Sequence, residues 1–128
     1  MAGYVTNIEQ ESLENDNFRE VLFTAENMQL VLMALEPGED IGLETHNDID
    51  QFIRVEAGQG KAILNGNEHA LEDGSSVVIP AGTEHNVINE SASEPLKLYT
   101  IYAPPEHLHG TIHKNKAEAI EYEKHHHH

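Results

Sequence analysis

The sequence contains no cysteine and no tryptophan, and only seven of its 128 residues are lysine or arginine. Without cysteine there is no disulfide bond, no thiolate nucleophile and no cysteine-bound zinc, so any metal must be held by nitrogen and oxygen atoms. The 23 acidic residues give a formal net charge of -16, which repels nucleic acid and anionic lipid surfaces. We therefore expect no nucleic-acid partner.

Long hydrophobic runs are also missing. The longest, Leu30 to Leu35, has six residues, whereas a membrane-spanning helix needs about 20. Residues 1–5 lack the basic and apolar segments that begin a secretory signal. The sequence therefore predicts a cytoplasmic protein without a membrane partner, and its length fits one domain.

Short apolar segments alternate with turn residues, a spacing typical of an all-β sandwich or barrel. Asn65-Gly66 is the strongest hairpin signal, because a type I′ turn needs positive φ at both positions. The predicted strands are Arg19 to Thr24, Met28 to Leu35, Gln51 to Glu56, Gly60 to Leu64, Glu68 to Leu71, Ser76 to Ile79, His85 to Asn89 and Leu96 to Ala103. Eight strands are enough for a small antiparallel barrel.

Both ends of the chain differ from the middle. Residues 1–17 are acidic and lack strand alternation, which predicts an arm or one helical turn before a barrel over 18–113. Asn115 with Glu118 three residues later predicts a short helix over 114–124. The histidines at 125–128 are interpreted as the remnant of a purification tag.

Four polar residues form the candidate site. Glu44 and His46 lie two positions apart, so on a strand both side chains point to one face, about 7 Å apart, and can converge on one ion. Gln51 starts the next strand and His85 opens a later one. Asp50 is adjacent to Gln51 and is expected to face away from it.

The spacing of these residues resembles the two sequence motifs of the cupin superfamily. The positions of the first motif are occupied by Gly38, Glu44, His46, Gln51 and Gly58. Those of the second are occupied by Gly74, Pro80, Gly82, His85 and Asn89. The tail from Tyr102 to His107 resembles that of small single-domain cupins described as mannose-6-phosphate-isomerase-like.

The resemblance implies a small antiparallel cupin β-barrel, that is, a double-stranded β-helix or jelly roll. It also implies one divalent metal ion (Fe, Mn, Ni, Co or Zn) held by Glu44, His46, Gln51 and His85. The family pattern has a histidine where Glu44 stands and a glutamate where Gln51 stands. Because an amide oxygen donates less than a carboxylate, we expect reduced metal affinity. Glu44 either ligates the ion or acts beside it as general acid or base.

Cupins resembling this chain include isomerases, lyases, dioxygenases and ligand sensors, and the fold does not choose among them. The leading hypothesis is a metal-dependent enzyme for a small oxygenated metabolite such as a sugar, uronate or keto acid. One alternative is a non-catalytic module that binds or senses a small ligand. Another is a barrel that has lost its metal, for which the neutral Gln51 is the argument.

Three histidines follow the last predicted strand. His109 and His113 have the i, i+4 spacing of a helical metal site, but we favour a solvated rim for His107, His109 and His113. The segment after Pro104-Pro105 is expected to be exposed.

We also expect a homodimer. Twofold assemblies are the commonest for small chains, the cupins that this chain resembles usually pair, and an open barrel has an edge to cover. The N-terminal arm would then lie across the partner.

Overall fold

The computed structural model describes residues 2–125, which form two antiparallel sheets and two helices. The strands are β1 (Arg19–Thr24), β2 (Gln29–Leu35), β3 (Glu44–Thr45), β4 (Asp50–Ala57), β5 (Gly60–Leu64), β6 (Asn67–Leu71), β7 (Ser76–Ile79), β8 (Glu84–Asn89), β9 (Leu96–Ala103) and β10 (Ile112–His113). The helices are α1 (Ile8–Glu14) and α2 (Lys116–His125). All eight predicted strands are present; β3 and β10 were missed because two residues are too short to show alternation.

The strands form a six-stranded sheet, in the order β10-β1-β2-β9-β4-β7, and a four-stranded sheet, in the order β3-β8-β5-β6. Every strand pair is antiparallel. The all-β antiparallel barrel with a short C-terminal helix is therefore confirmed. No helix in the described part of the chain is long and apolar enough to cross a membrane.

The barrel interior follows from strand alternation, which is clearest in β9. Leu96, Leu98, Thr100 and Tyr102 are buried, whereas the residues between them are half-buried. Residues two apart share a face of the sheet, so these four side chains line the interior. Burying an apolar side chain of this size contributes about 1.5–3 kcal/mol, and the core therefore fixes the strand register.

The Asn65-Gly66 hairpin has the predicted geometry. Both residues have positive φ, 49° for Asn65 and 84° for Gly66, and they join β5 directly to β6. Such a turn matches the twist of its flanking strands, so it fixes their pairing. The hairpin prediction is confirmed.

The N-terminal segment contains helix α1, which packs on the six-stranded sheet of its own chain. The Nζ of Lys97 on β9 donates to the carbonyl oxygens of Leu13 (3.1 Å) and Asn15 (2.6 Å), which holds the end of the helix to the sheet. Formation of a homodimer, with the arm across the partner, stays a prediction.

At the other end of the chain, Asn115 caps α2. The backbone N–H of Glu118 donates to Asn115 Oδ1 at 2.9 Å, as predicted. Ala119 is buried against the barrel core, and Lys116 forms an ion pair with Asp40. Of the predicted tag remnant, His125 ends α2 and 126–128 lie outside the described residues.

One end of the barrel, called the closed end below, is filled by Leu35, Gly58, Gly60, Asn89 and Leu96. A Cβ atom on Gly60 would overlap the backbone carbonyl of Ile88, and one on Gly58 would lie 2.6 Å from the carbonyl oxygen of Pro95. Both glycines are therefore required by close backbone approach.

Asn89 is fully buried at this closed end. Its Nδ2 donates to the carbonyl oxygens of Leu35 (3.0 Å) and Glu94 (2.9 Å), and its Oδ1 accepts from the N–H of Ser91 (2.9 Å). Both polar atoms of this amide have partners, so Asn89 serves the structure of the closed end.

Candidate functional site

The opposite end of the barrel, called the mouth, carries polar side chains from both sheets. Its members are Gln29, Glu44, His46, Gln51, His85, Tyr102 and Glu106. On the six-stranded sheet, Tyr102 lies in register with Gln29 on one side and with Gln51 on the other. On the four-stranded sheet, Glu44 lies in register with His85. The strand register thus brings sequence-distant polar residues to one end of the barrel.

His85 is held in one tautomer. Its Nδ1 lies 2.9 Å from the carbonyl oxygen of Thr83, and a carbonyl only accepts, so Nδ1 carries the proton. The lone pair of Nε2 is then free for a ligand. Burial lowers the pKa of His85, and the nearby His46 lowers it further, against the hydrogen bond to Thr83. The imidazole is therefore held neutral, the form that binds metals.

His46 lies between two carboxylates. Its Nε2 is 3.4 Å from Glu44 Oε2, and its Nδ1 is 3.6 Å from Glu106 Oε2. Its ring centroid is 5.4 Å from that of His85 and 6.2 Å from that of Tyr102. One ring edge of His46 therefore meets the candidate ligand Glu44, and the other meets the C-terminal segment.

The side chain of Glu44 is the most exposed of these three: 34% of it is exposed, against 13% for His46 and 19% for Glu106. Burial raises the pKa of the Glu44 carboxyl, and its electrostatic interactions with His46 and Arg19 oppose that rise. Burial also raises the pKa of the Tyr102 hydroxyl, which therefore stays protonated.

Gln51 is buried, with 3% exposure, and only one end of its amide has a partner. Its Nε2 donates to Thr100 Oγ1 at 3.0 Å. Its Oε1 is buried without a hydrogen-bond partner. A buried oxygen that lacks a donor costs about 1–3 kcal/mol, so Gln51 Oε1 is an acceptor in need of a ligand.

Two further residues of the interior were not anticipated as parts of the site. Arg19 on β1 is 3% exposed, its Nη1 lies 3.3 Å from His113 Nδ1, and its Nε has no partner. Burial lowers the pKa of His113, and the positive charge of Arg19 lowers it further. Arg19 thus supplies positive charge to an interior that also holds Glu44 and Tyr102.

The structure brings Glu44 and His46 into contact, sets His85 beside them and places Gln51 on the facing sheet at the same end. Over residues 2–124, no three His, Asp or Glu side chains are arranged as a ready metal cluster. The donor set nevertheless fits a metal, because His85 offers a free Nε2 and Gln51 offers a buried, unsatisfied oxygen. Asp50 faces away, as predicted, and accepts from the N–H of Ala81.

The predictions for the C-terminal histidines are partly wrong. His113 is buried on β10, and His109 lies in a turn, so their i, i+4 spacing does not belong to a helix. Exposure was expected for the whole segment, but of its three histidines only His109 is exposed, because β10 pairs with β1 and carries His113 inside. His107 is half-buried, with its ring centroid 5.2 Å from that of Tyr102.

Glu106 and Gln29 were also missed. Both lie outside the two motif regions, and their proximity to the site depends on the pairing of β2 with β9 and on the path of the chain after β9. The motif-like tail after Tyr102 was the one sequence signal that pointed to this segment.

Comparison with known proteins gives a consistent result. The family model described as "Cupin domain" matches residues 31–102. The chain is 46% identical to BH2720 of Bacillus halodurans, with a TM-score of 0.89 and coverage of 92% of this chain and 93% of that one.

Two curated relatives come from Bacillus subtilis. The uncharacterized protein YrkC is 48% identical over 124 residues, which cover 91% of this chain and 66% of YrkC, just under two thirds. A quercetin 2,3-dioxygenase is 30% identical over 89 residues, covering 70% of this chain and 26% of that protein. The match to the Cupin domain model confirms the resemblance to the cupin superfamily.

Proposed function

This chain belongs to the cupin family, and we propose that it is a metal-dependent enzyme that binds one divalent ion at the mouth and acts there on a small oxygenated metabolite. The observation that carries the proposal is the buried, unpartnered Oε1 of Gln51. Its counterpart at the closed end, the amide of Asn89, has every partner it needs.

The residues that would hold the ion are His46, His85, Gln51 and Glu44. His85 would bind through Nε2, because its Nδ1 donates to the carbonyl oxygen of Thr83. His46 would bind through Nε2, the nitrogen that faces Glu44. Glu44 supplies the single negative charge of the set. A bound divalent ion acts as a Lewis acid that polarises a carbonyl or hydroxyl oxygen of the metabolite.

The protein residues supply orientation and a route for a proton. Strand pairing fixes Glu44 on the short strand β3 opposite His85 on β8, so two of the residues that would hold the ion are adjacent. Glu44 is the more exposed of the two site carboxylates, and in the alternative role, beside the ion instead of bound to it, it would exchange a proton with a bound metabolite at its Oε atoms. The buried ring of Tyr102 excludes water behind His46.

The metal site is tested by titrating the protein with Mn²⁺ and measuring the free Mn²⁺ by electron paramagnetic resonance. The wild-type chain is compared with His85→Ala and with a control, His69→Ala, whose histidine is exposed on β6. All three chains carry the histidines at 125–128, so these contribute equally. We expect one site in the wild type and the control, and its loss in His85→Ala.

Equal affinity and stoichiometry in the wild type and His85→Ala would contradict the proposal and favour a barrel without metal. Enzyme and binding module are then separated by assaying the metal-loaded chain with sugars, uronates and keto acids, with and without dioxygen. The kinship with a quercetin 2,3-dioxygenase supports including dioxygen. Binding of a compound without turnover of any of them would favour the non-catalytic module.

A further inference from the structure

The segment that follows β9, Pro104 to His109, is called the strap here. The chain enters it through the cis bond between Ala103 and Pro104. Glu106 and His107, in the middle of the strap, reach the site: Glu106 lies 3.6 Å from His46 Nδ1, and the His107 ring packs edge-on against Tyr102. The strap therefore forms part of the wall behind His46.

A buried amide on β2 holds the backbone of this strap to the barrel. Gln29 on β2 is fully buried, and its Oε1 accepts from the backbone N–H groups of Glu106 (3.2 Å) and His107 (2.9 Å). Its Nε2 donates to the carbonyl oxygen of His107 (2.7 Å) and to Thr24 Oγ1 (2.9 Å). Four hydrogen bonds thus use both ends of the amide, three of them on the strap backbone.

The two histidines of the site are oriented by different means. The Nδ1 of His85 is held by the carbonyl oxygen of Thr83, two residues away on the same segment. The Nδ1 of His46 faces a carboxylate from the strap, 60 positions away in the sequence. A carboxylate on the far nitrogen of a metal-binding histidine fixes the tautomer and ring direction and strengthens the metal-facing nitrogen.

We propose that Glu106 is a positioning residue that orients His46 toward the metal, and that Gln29 is the anchor that keeps Glu106 there. The inference rests on the proposed metal site. Glu106 acts through His46 and does not bind the ion itself. Gln29 holds the strap backbone, the strap backbone places Glu106, and Glu106 orients His46.

The test measures Mn²⁺ affinity by titration for Glu106→Ala, Glu106→Gln and Gln29→Met. We expect Glu106→Ala to weaken binding about 100-fold and Glu106→Gln, which keeps an acceptor, about 10-fold. The control Glu72→Gln makes the same charge change at an exposed site near the closed end and leaves the affinity unchanged. The thermal midpoints of the Glu106 variants stay near that of the wild type, because the Glu106 side chain is not part of the core.

Gln29→Met probes the anchor. We expect it to weaken Mn²⁺ binding to the same degree as Glu106→Ala, and the double variant to bind no more weakly than either single one, because both act on the same group. If Gln29→Met does not fold, the ranking of the two Glu106 variants decides the question.

The outcomes separate the two claims. A wild-type site that His85→Ala abolishes but Glu106→Ala leaves unchanged would overturn the role of Glu106 while the proposed function stands. A wild-type chain without a His85-dependent site would overturn both. Equal losses of Mn²⁺ affinity in Glu106→Gln and Glu72→Gln would show that only the change in net charge matters, and would also overturn the proposal.

Discussion

Two buried side-chain amides, Asn89 at the closed end of the barrel and Gln51 at the mouth, are in opposite states. Asn89 at the closed end uses both of its polar atoms in hydrogen bonds to backbone groups. Gln51 at the mouth uses only its nitrogen, and its oxygen is buried without a partner. The burial of the two residues is nearly equal, 0% and 3% exposed, so burial does not distinguish them.

The difference lies in what each amide is for. A buried amide with all its hydrogen-bond partners stabilises the fold. A buried amide whose oxygen has no donor lowers the stability of the fold, so its presence needs another explanation. The surrounding groups follow the same division: backbone and apolar side chains at the closed end, carboxylates and imidazoles at the mouth. We therefore assign stability to the closed end and chemistry to the mouth.

The largest expected effect is at the closed end. Gly60→Ala would place a Cβ against the backbone carbonyl of Ile88, which cannot move aside without disturbing the pairing of β5 with β8. We expect a loss of about 3 kcal/mol in the free energy of unfolding. Urea denaturation measures it.

The matched control is Gly66→Ala in the hairpin, where a new Cβ meets nothing within 4 Å and only the positive φ is unfavourable. Its cost is about 1 kcal/mol. A smaller loss for Gly60→Ala than for Gly66→Ala would show that the closed end is not tightly packed.

The second prediction compares the two amides directly. Asn89→Leu removes the partners of the backbone groups at Leu35, Glu94 and Ser91, of which the Leu35 carbonyl is buried, and should cost about 2–3 kcal/mol. Gln51→Leu removes one hydrogen bond but also the orphaned oxygen, so we expect a change of no more than about 1 kcal/mol. Urea unfolding in the presence of EDTA measures both without metal. Similar losses in the two variants would remove the distinction between the ends.

Much of the fold could be predicted from the sequence, because its signals are local. Alternation and turn residues located the eight longer strands, and Asn65-Gly66 predicted its hairpin. The same signals could not find β3 and β10, since two residues show no period. The interior position of His113 was missed for a related reason: it depends on pairing with β1, far away in the sequence.

Some residues of the candidate site could likewise be predicted from local sequence signals, and others could not. Glu44, His46, Gln51 and His85 could be proposed because they lie at motif spacings within a short part of the chain. Glu106 and Gln29 could not, because their contacts with the site arise from the pairing of β2 with β9 and from the course of the strap. Whether the four motif residues ligate a metal stays a prediction.

The most direct test of the division between the two ends is the Mn²⁺ affinity of Gln51→Glu beside that of Gln59→Glu. Both substitutions add one negative charge, the first at the orphaned oxygen of the mouth and the second at an exposed position near the closed end. An anionic oxygen binds a divalent ion more strongly than an amide oxygen, so Gln51→Glu should tighten binding about tenfold while Gln59→Glu leaves it unchanged. Equal or weaker binding by Gln51→Glu would show that this oxygen does not meet a metal, and would contradict the account.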